Sequence, residues 1–350
     1  MLAYDVFFFS ATLFLLGILT ASIGLGAGLV FVSVLLTGAV FFFLHFGLGE
    51  DSRRLFWLAG VALFIFLGHS YYFLMDAPPP AEESFFISSL AGIKNGIIHS
   101  FQRVLSPLSS ALLSGIVLGE RSAFPRHFRE AMIKSGTVHL TALSGYNINL
   151  VGFGALAAFN YFLSKRLSLF LGSLAIIGFV LMTGASASAV RAGIMGLVLF
   201  FAEERGGSYD LRNVIIFTAL VMVLFNPRLL YFDVSFQLSF AAFLGIIYLK
   251  PVLERILKLQ NKGFLAWREN LAANLSAQLA VAPFIVHYFG RFEWVSVFSN
   301  LLILPVVPVT MALGALVAAS SFFYPLSLVF GWLAELVLNY QIFIINLFGS

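Results

Sequence analysis

Residues 6–49 read VFFFSATLFLLGILTASIGLGAGLVFVSVLLTGAVFFFLHFGLG and carry no formally charged side chain. A helix that crosses about 30 Å of hydrocarbon needs about 20 apolar residues at about 1.5 Å each. The stretch holds two such crossings, and Gly24, Gly26 and Gly28 mark the turn between them. A hairpin of spans over 6–23 and 29–46 is therefore expected. Outward from it the pattern repeats, with further spans expected over 55–74, 140–162, 167–182, 187–201, 214–225, 234–249, 271–287, 294–319 and 326–347, eleven in all. Composition points the same way: 60% of the 350 residues are hydrophobic and only 10% charged, against about 25% charged in soluble domains. Mean hydropathy is +0.99. The 41 Phe cannot all hide inside a water-exposed globule, so the solvent is lipid. A cytosolic enzyme, a secreted disulfide scaffold and an ordinary nucleic-acid-binding domain are excluded. Without cysteine there is no disulfide, thiol nucleophile or thiolate metal site. The start, Met1-Leu2-Ala3-Tyr4-Asp5, lacks the basic region of a cleavable signal peptide.

The fold class expected is thus an all-α polytopic integral membrane protein of about eleven transmembrane helices. It divides into an N-terminal three-span region (1–75), an outer linker with interfacial helices (76–134) and a transmembrane core (135–350). Orientation follows the Lys and Arg of the short loops. Arg53, Arg54, Lys165, Arg166, Arg205, Arg212, Lys250, Arg255, Lys258, Lys262 and Arg268 fall on one side; the opposite short loops hold Arg228 and Arg291. The N-terminus is placed inside and the C-terminus outside. In the outer segment, Phe86, Leu90, Ile93, Ile97, Phe101 and Val104 recur at helical spacing and predict an amphipathic helix in the interface plane. Residues 108–118 are apolar but too short to cross, which suits a re-entrant or interfacial segment. Pro125 then starts a polar helix over 126–134.

Polar residues within spans each need a reason, because charge inside a bilayer is costly. Arg191 and Asp233 fall at similar depth and form a candidate pair, either a structural tie or a guide on a polar path. Gln237 and Gln278 suit interhelical hydrogen bonds. Asn147 follows Ser144 and Gly145 in an apolar span, Ser188 sits in the small-residue run 183–189, and His287, Arg291 and Asn300 bracket an outer turn. Glu335 lies mid-span and the sequence offers no account of it. Ser144-Gly145 is similar to the nucleophile motif of rhomboid proteases, but Ala142 stands where that motif needs glycine. No His-Glu-x-x-His and no Gly-x-x-x-x-Gly-Lys occurs. No catalytic residue, metal or cofactor is expected.

Five blocks carry a family likeness. They are Leu118-Gly119-Glu120-Arg121-Ser122; Gly136 with His139-Leu140 and Ala142-Leu143-Ser144-Gly145-Tyr146-Asn147; and Ser188-Ala189-Val190-Arg191-Ala192 with Met195. Then follow Asn226-Pro227 with the run from Asp233 through Gln237 to Phe240; and Gln278, Pro283, the run from His287 to Phe292, Asn300 and Pro305. With these blocks the chain from residue 112 onward resembles the competence domain of the ComEC family, the inner-membrane channel of bacterial natural transformation. The resemblance implies passage of single-stranded DNA across the bacterial cytoplasmic membrane, with a separate DNA receptor, nuclease and ATP-driven motor as partners. A path for a polyanion needs polar, mostly neutral walls, since dense Lys and Arg would hold phosphates. Ser144, Gly145, Asn147, Ser188, Arg191, Asp233, Gln237, Gln278, His287, Arg291 and Asn300 are the candidate lining.

The chain departs from the family pattern. Residues 76–84 are too short for the family's oligonucleotide-binding barrel, and no metallo-β-lactamase-like domain is expected within the 350 residues, which hold no metal motif. Asn147 replaces a usual histidine and Ser235 a usual glycine. Arg126, His127, Arg129 and Lys134 are read either as a reduced DNA landing site or as a headgroup-facing interfacial helix. The alternatives for function are a transporter of another polymer or solute on the same core, and an intramembrane serine hydrolase using Ser144.

Overall fold

In lipid each backbone N–H and C=O must be satisfied within its own segment, so uncharged apolar runs become helices. A computed structural model describes residues 3–23, 52–75, 85–141, 145–204, 210–257, 267–290 and 293–350, and every regular element among them is helical. In chain order these are α1 (Ala3–Ser22), α2 (Ser52–Leu74), α3 (Phe85–Val104), α4 (Pro107–Leu118) and α5 (Arg126–Lys134). They continue as α6 (Gly145–Phe162), α7 (Lys165–Met182), α8 (Ala187–Glu204), α9 (Leu211–Phe225), a single helical turn at Leu229–Phe232, and α10 (Val234–Tyr248). The last five are α11 (Lys250–Ile256), α12 (Trp267–Phe289), α13 (Ser296–Ile303), α14 (Val307–Ala319) and α15 (Tyr324–Gly349). A 3₁₀ turn, Val138–Thr141, precedes α6, and another, Leu304–Val306, joins α13 to α14.

The chain is a helical membrane protein, but the described residues do not reach eleven spans. Four segments are long and apolar enough to cross: Lys165–Met182, Arg268–Phe289, Ser296–Ala319 and Tyr324–Gly349. A fifth is added if α10 and α11, bent by 46°, make one span. Five other expected spans shrink to short apolar helices, Phe7–Ser22, Leu63–Leu74, Leu150–Phe162, Ala187–Val198 and Leu211–Phe225. The 15 residues of α9 rise only about 22 Å, short of the hydrocarbon thickness. The expected span 29–46 and the linker 76–84 lie outside the described residues. Pro283 does not break its helix, since α12 runs through it. Pro305 sits in the 3₁₀ turn that divides Ser296–Ala319.

The chain forms two compact units, Met1–Glu82 with Leu197–Phe236, and Glu83–Gly196 with Gln237–Ser350. In the first, α1 lies along α2 and also meets α9. Gly17 and Gly68 permit that approach, because a Cβ on either would overlap the carbonyl of Ile65 or Phe14. In the second unit α4 is the core. Nine of its residues, Ser109 to Ile116 and Leu118, are buried. It is packed by α3, α14, α15 and the 3₁₀ turn at Val138–Thr141. A short helix is tolerated there because protein surrounds it, and α4 is an interior helix. Helix α3 packs on α4, α7, α14 and α15; Phe101 of the expected apolar face is fully buried, whereas Ile93 is 56% exposed.

Candidate functional site

The polar side chains of the second unit are not scattered. Helix α5 ends at Gly136, whose φ of +66° places it in the left-handed region. Thr137 N donates to Met132 O at 2.9 Å and Gly136 N to Ile133 O at 3.0 Å, closing a Schellman-type turn. The turn lies against α13: a Cβ on Gly136 would overlap the Ser296 side chain. Ser299 Oγ donates to Ser135 O at 2.7 Å, and Ser135 Oγ lies 2.8 Å from Thr137 Oγ1. From α13, Ser296 Oγ donates to Gln278 Oε1 at 3.0 Å. Gln278 Nε2 donates to Asn274 Oδ1 at 3.0 Å, and Asn274 Nδ2 to Val297 O at 3.2 Å. Asn300 is 2% exposed beside this chain of bonds, and its Oδ1 has no partner among the described residues.

The network joins one sequence candidate, Gln278, to five residues the sequence reading passed over: Ser135, Thr137, Asn274, Ser296 and Ser299. Their signal was present but weak. Asn274 and Gln278 share a helix face four residues apart, and Ser296, Ser299 and Asn300 share another. Asn300 is buried on the same helix as the two serines, α13, but makes no bond to the network through Oδ1.

Arg191 is 8% exposed on α8. Its Nη1 donates to Ser239 O at 2.7 Å, and its guanidinium carbon lies 5.9 Å and 5.8 Å from the ring centroids of Phe240 and Phe243. Its Nε is buried with no partner among the described residues. Asp233 serves its own helix: Oδ1 accepts from Phe236 N at 2.7 Å, an N-cap of α10. Gln237 Oε1 accepts from Tyr288 Oη at 2.8 Å. His287 is exposed, edge-on to Tyr288 at 4.9 Å between centroids. Asn147 is 3% exposed and donates to Ile116 O at 3.0 Å, tying α6 to α4. Ser188 Oγ lies 3.3 Å from Ser186 Oγ near the start of α8. Gly145 opens α6, while Ser144 and Arg291 lie outside the described residues. Among the described residues no group of three His, Asp or Glu is arranged to hold a metal ion.

The structure accounts for Glu335, which sequence left unexplained, and adds one feature that sequence did not show. Glu335, midway along α15, accepts from Ser106 Oγ at 2.7 Å, Ser109 Oγ at 2.8 Å and Ser106 N at 3.2 Å. A carboxylate at a helix start satisfies orphan N–H groups and meets the positive end of the dipole. The added feature is a cavity of about 530 Å³ beside α3 and α4, lined in part by Asn95, Gln102, Ser110, Ser114 and Glu120. At its edge Lys94 Nζ pairs with Glu120 Oε2 at 2.8 Å. The Lys94 hydrogen bond, helped by Ser122, holds the Glu120 carboxyl down to about 2.

A family profile described as Competence protein matches residues 116–350, which contain the whole buried network, Arg191 and Glu335. The chain is 26% identical over 287 residues to ComE operon protein 3 of Bacillus subtilis (strain 168), covering 77% of this chain and 35% of that protein. It therefore spans about a third of that relative's length. No solved structure matches.

Proposed function

The chain belongs to the competence protein (ComEC) family, and from that premise we propose that it is a channel for single-stranded DNA, working in DNA uptake at the bacterial cytoplasmic membrane. The family match carries the uptake role. For the charge of the cargo, the supporting observation is Arg191. Its guanidinium is buried in an apolar helix with one donor given to a backbone carbonyl and its Nε unpaired among the described residues. A buried cation with an open donor favours a passing anion, and a phosphate supplies the matching acceptor. Asn147, Ser188, Gln237, Gln278 and Asn300 of the candidate lining are neutral, so a strand meets hydrogen-bonding walls that do not retain it.

In this reading the chain is a conduit and not a catalyst. Its N-terminus is inside, its C-terminus and α5 are outside, and a separate receptor, nuclease and ATP-driven motor work beside it. The test is uptake of labelled single-stranded DNA into proteoliposomes, with Arg191→Gln and protein-free vesicles alongside. Nuclease-protected strand inside the vesicles, absent for duplex and reduced by the substitution, is the expected result. Tight, salt-insensitive binding of a small solute without strand uptake would replace the DNA reading with that of a solute transporter.

A further inference from the structure

Helix α5 carries its charges and its apolar groups on different sides, and the apolar side is already occupied. Phe128 is fully buried and Met132 is 2% exposed. The helix lies on α15, where Gly349 comes so close to Ala131 that a Cβ would overlap its carbonyl. An interfacial helix holds a bilayer by burying its apolar face among the acyl chains. In α5 that face is against protein, with only Ile133, 39% exposed, left outside.

What α5 presents outward is basic: Arg126, His127, Arg129 and Lys134 are all exposed. Its acid, Glu130, pairs with Arg126 at 3.0 Å and leaves the face positive. Arg129 Nη2 donates to Arg121 O at 3.3 Å, so the face runs on into the turn that follows α4. In that turn Glu120 accepts from Arg121 N and Ser122 N at 3.1 Å each and pairs with Lys94, which neutralises the carboxylate facing an incoming anion. Beyond the turn lies the cavity of about 530 Å³, whose lining mixes the amides of Asn95 and Gln102 and serine hydroxyls with apolar side chains and the Lys94-paired Glu120. Ser114, 2% exposed, lines it with an Oγ that has no partner among the described residues. The volume is that of a small-ligand site, about 300–1,000 Å³.

We propose that the basic face of α5 is a docking surface for the sugar-phosphate backbone of a single DNA strand, and that the adjoining cavity takes the leading nucleotide. The proposal rests on the channel reading and adds where the cargo is first held. Basic side chains grip phosphates without regard to sequence, and the cavity, whose lining among the described residues holds no Lys, Arg or His, does not retain them.

The measurement is binding of labelled oligothymidylate to the full chain in nanodiscs of neutral phosphatidylcholine, across a salt series. Each neutralised phosphate contributes about 0.7 to the salt slope for a single strand. Arg126→Ala, Arg129→Ala and Lys134→Ala combined should therefore lower the slope by about 2 and the low-salt affinity about tenfold or more. Glu130→Lys should bind more tightly with a steeper slope, a gain that misfolding does not produce. An unchanged slope and affinity in the triple variant overturns the surface, and if its vesicle uptake is also normal the channel reading stands. Strand held by the wild type at this face without passage supports the surface and assigns passage to the separate motor. A triple variant altered only on vesicles containing anionic phosphatidylglycerol, with oligonucleotide binding intact, shows a lipid contact and refutes the proposal.

Discussion

A carboxylate halfway along a spanning helix must find donors, and Glu335 finds them at the N-terminus of α4. Glu335→Ala should destabilise the protein by about 1–3 kcal/mol, since it strips three hydrogen bonds from the start of α4. Glu335→Gln, which keeps one acceptor, should cost less. Thermal unfolding in detergent measures both, and equal losses would refute the capping role. Glu120 is a different case because it titrates outside the spans. Its folded value, about 2, lies below the ordinary Glu value of about 4.3, so its contribution is present above that value and is lost as pH falls towards 2. The stability difference between wild type and Glu120→Gln should therefore narrow between about pH 4.3 and 2; a constant difference would show that the Lys94 pair contributes nothing. Sequence could flag Glu335 as costly but not explain it, because Ser106 lies 229 positions away.

Helices α4 and α5 show how far pattern reading carries at the level of elements. Both were legible as helices, one apolar and too short to cross, one polar behind Pro125. Neither environment was legible, because hydropathy is the same whether lipid or protein covers a side chain. The Gly136 turn joins α5 to α13, and Gly136→Ala should cost about 1–2 kcal/mol for the left-handed backbone alone, with overlap on Ser296 added. Gly154, in α6 with open space around it, is the contrast: Gly154→Ala should be neutral or stabilising by up to about 1 kcal/mol. Unfolding midpoints of the two variants in the same detergent check this, and similar shifts would exclude the proposed packing.

At the scale of the molecule, the polar groups of the membrane core are mostly tied to one another, so loss of function should be selective. Removing Arg191 eliminates the one candidate-path cation whose buried Nε has no partner among the described residues. Arg191→Gln is expected to lower strand uptake about tenfold or more while leaving the unfolding midpoint within a few degrees, because one charged hydrogen bond is worth about 1.5–3 kcal/mol. An equally large fall in stability would recast Arg191 as a packing residue. Of the candidate lining, Gln278 belongs to the buried network, Asp233 caps a helix and Gln237 holds Tyr288. Residue type alone does not separate a wall from a tie between helices, since both need the same donors and acceptors.

What the sequence determined by itself was the solvent, the helical class, the family likeness and the list of polar residues that needed a reason. Those follow from composition and order along the chain, which local physics reads directly. Tertiary structure decided the rest: that α4 is an interior helix, that Glu335 caps it, and that Ser135, Asn274, Gln278, Ser296 and Ser299 form one network. It also decided that α5 turns its charges outward while burying Phe128 and Met132. These are long-range pairings, set by which surfaces meet once the helices pack, and no periodicity in the chain encodes them.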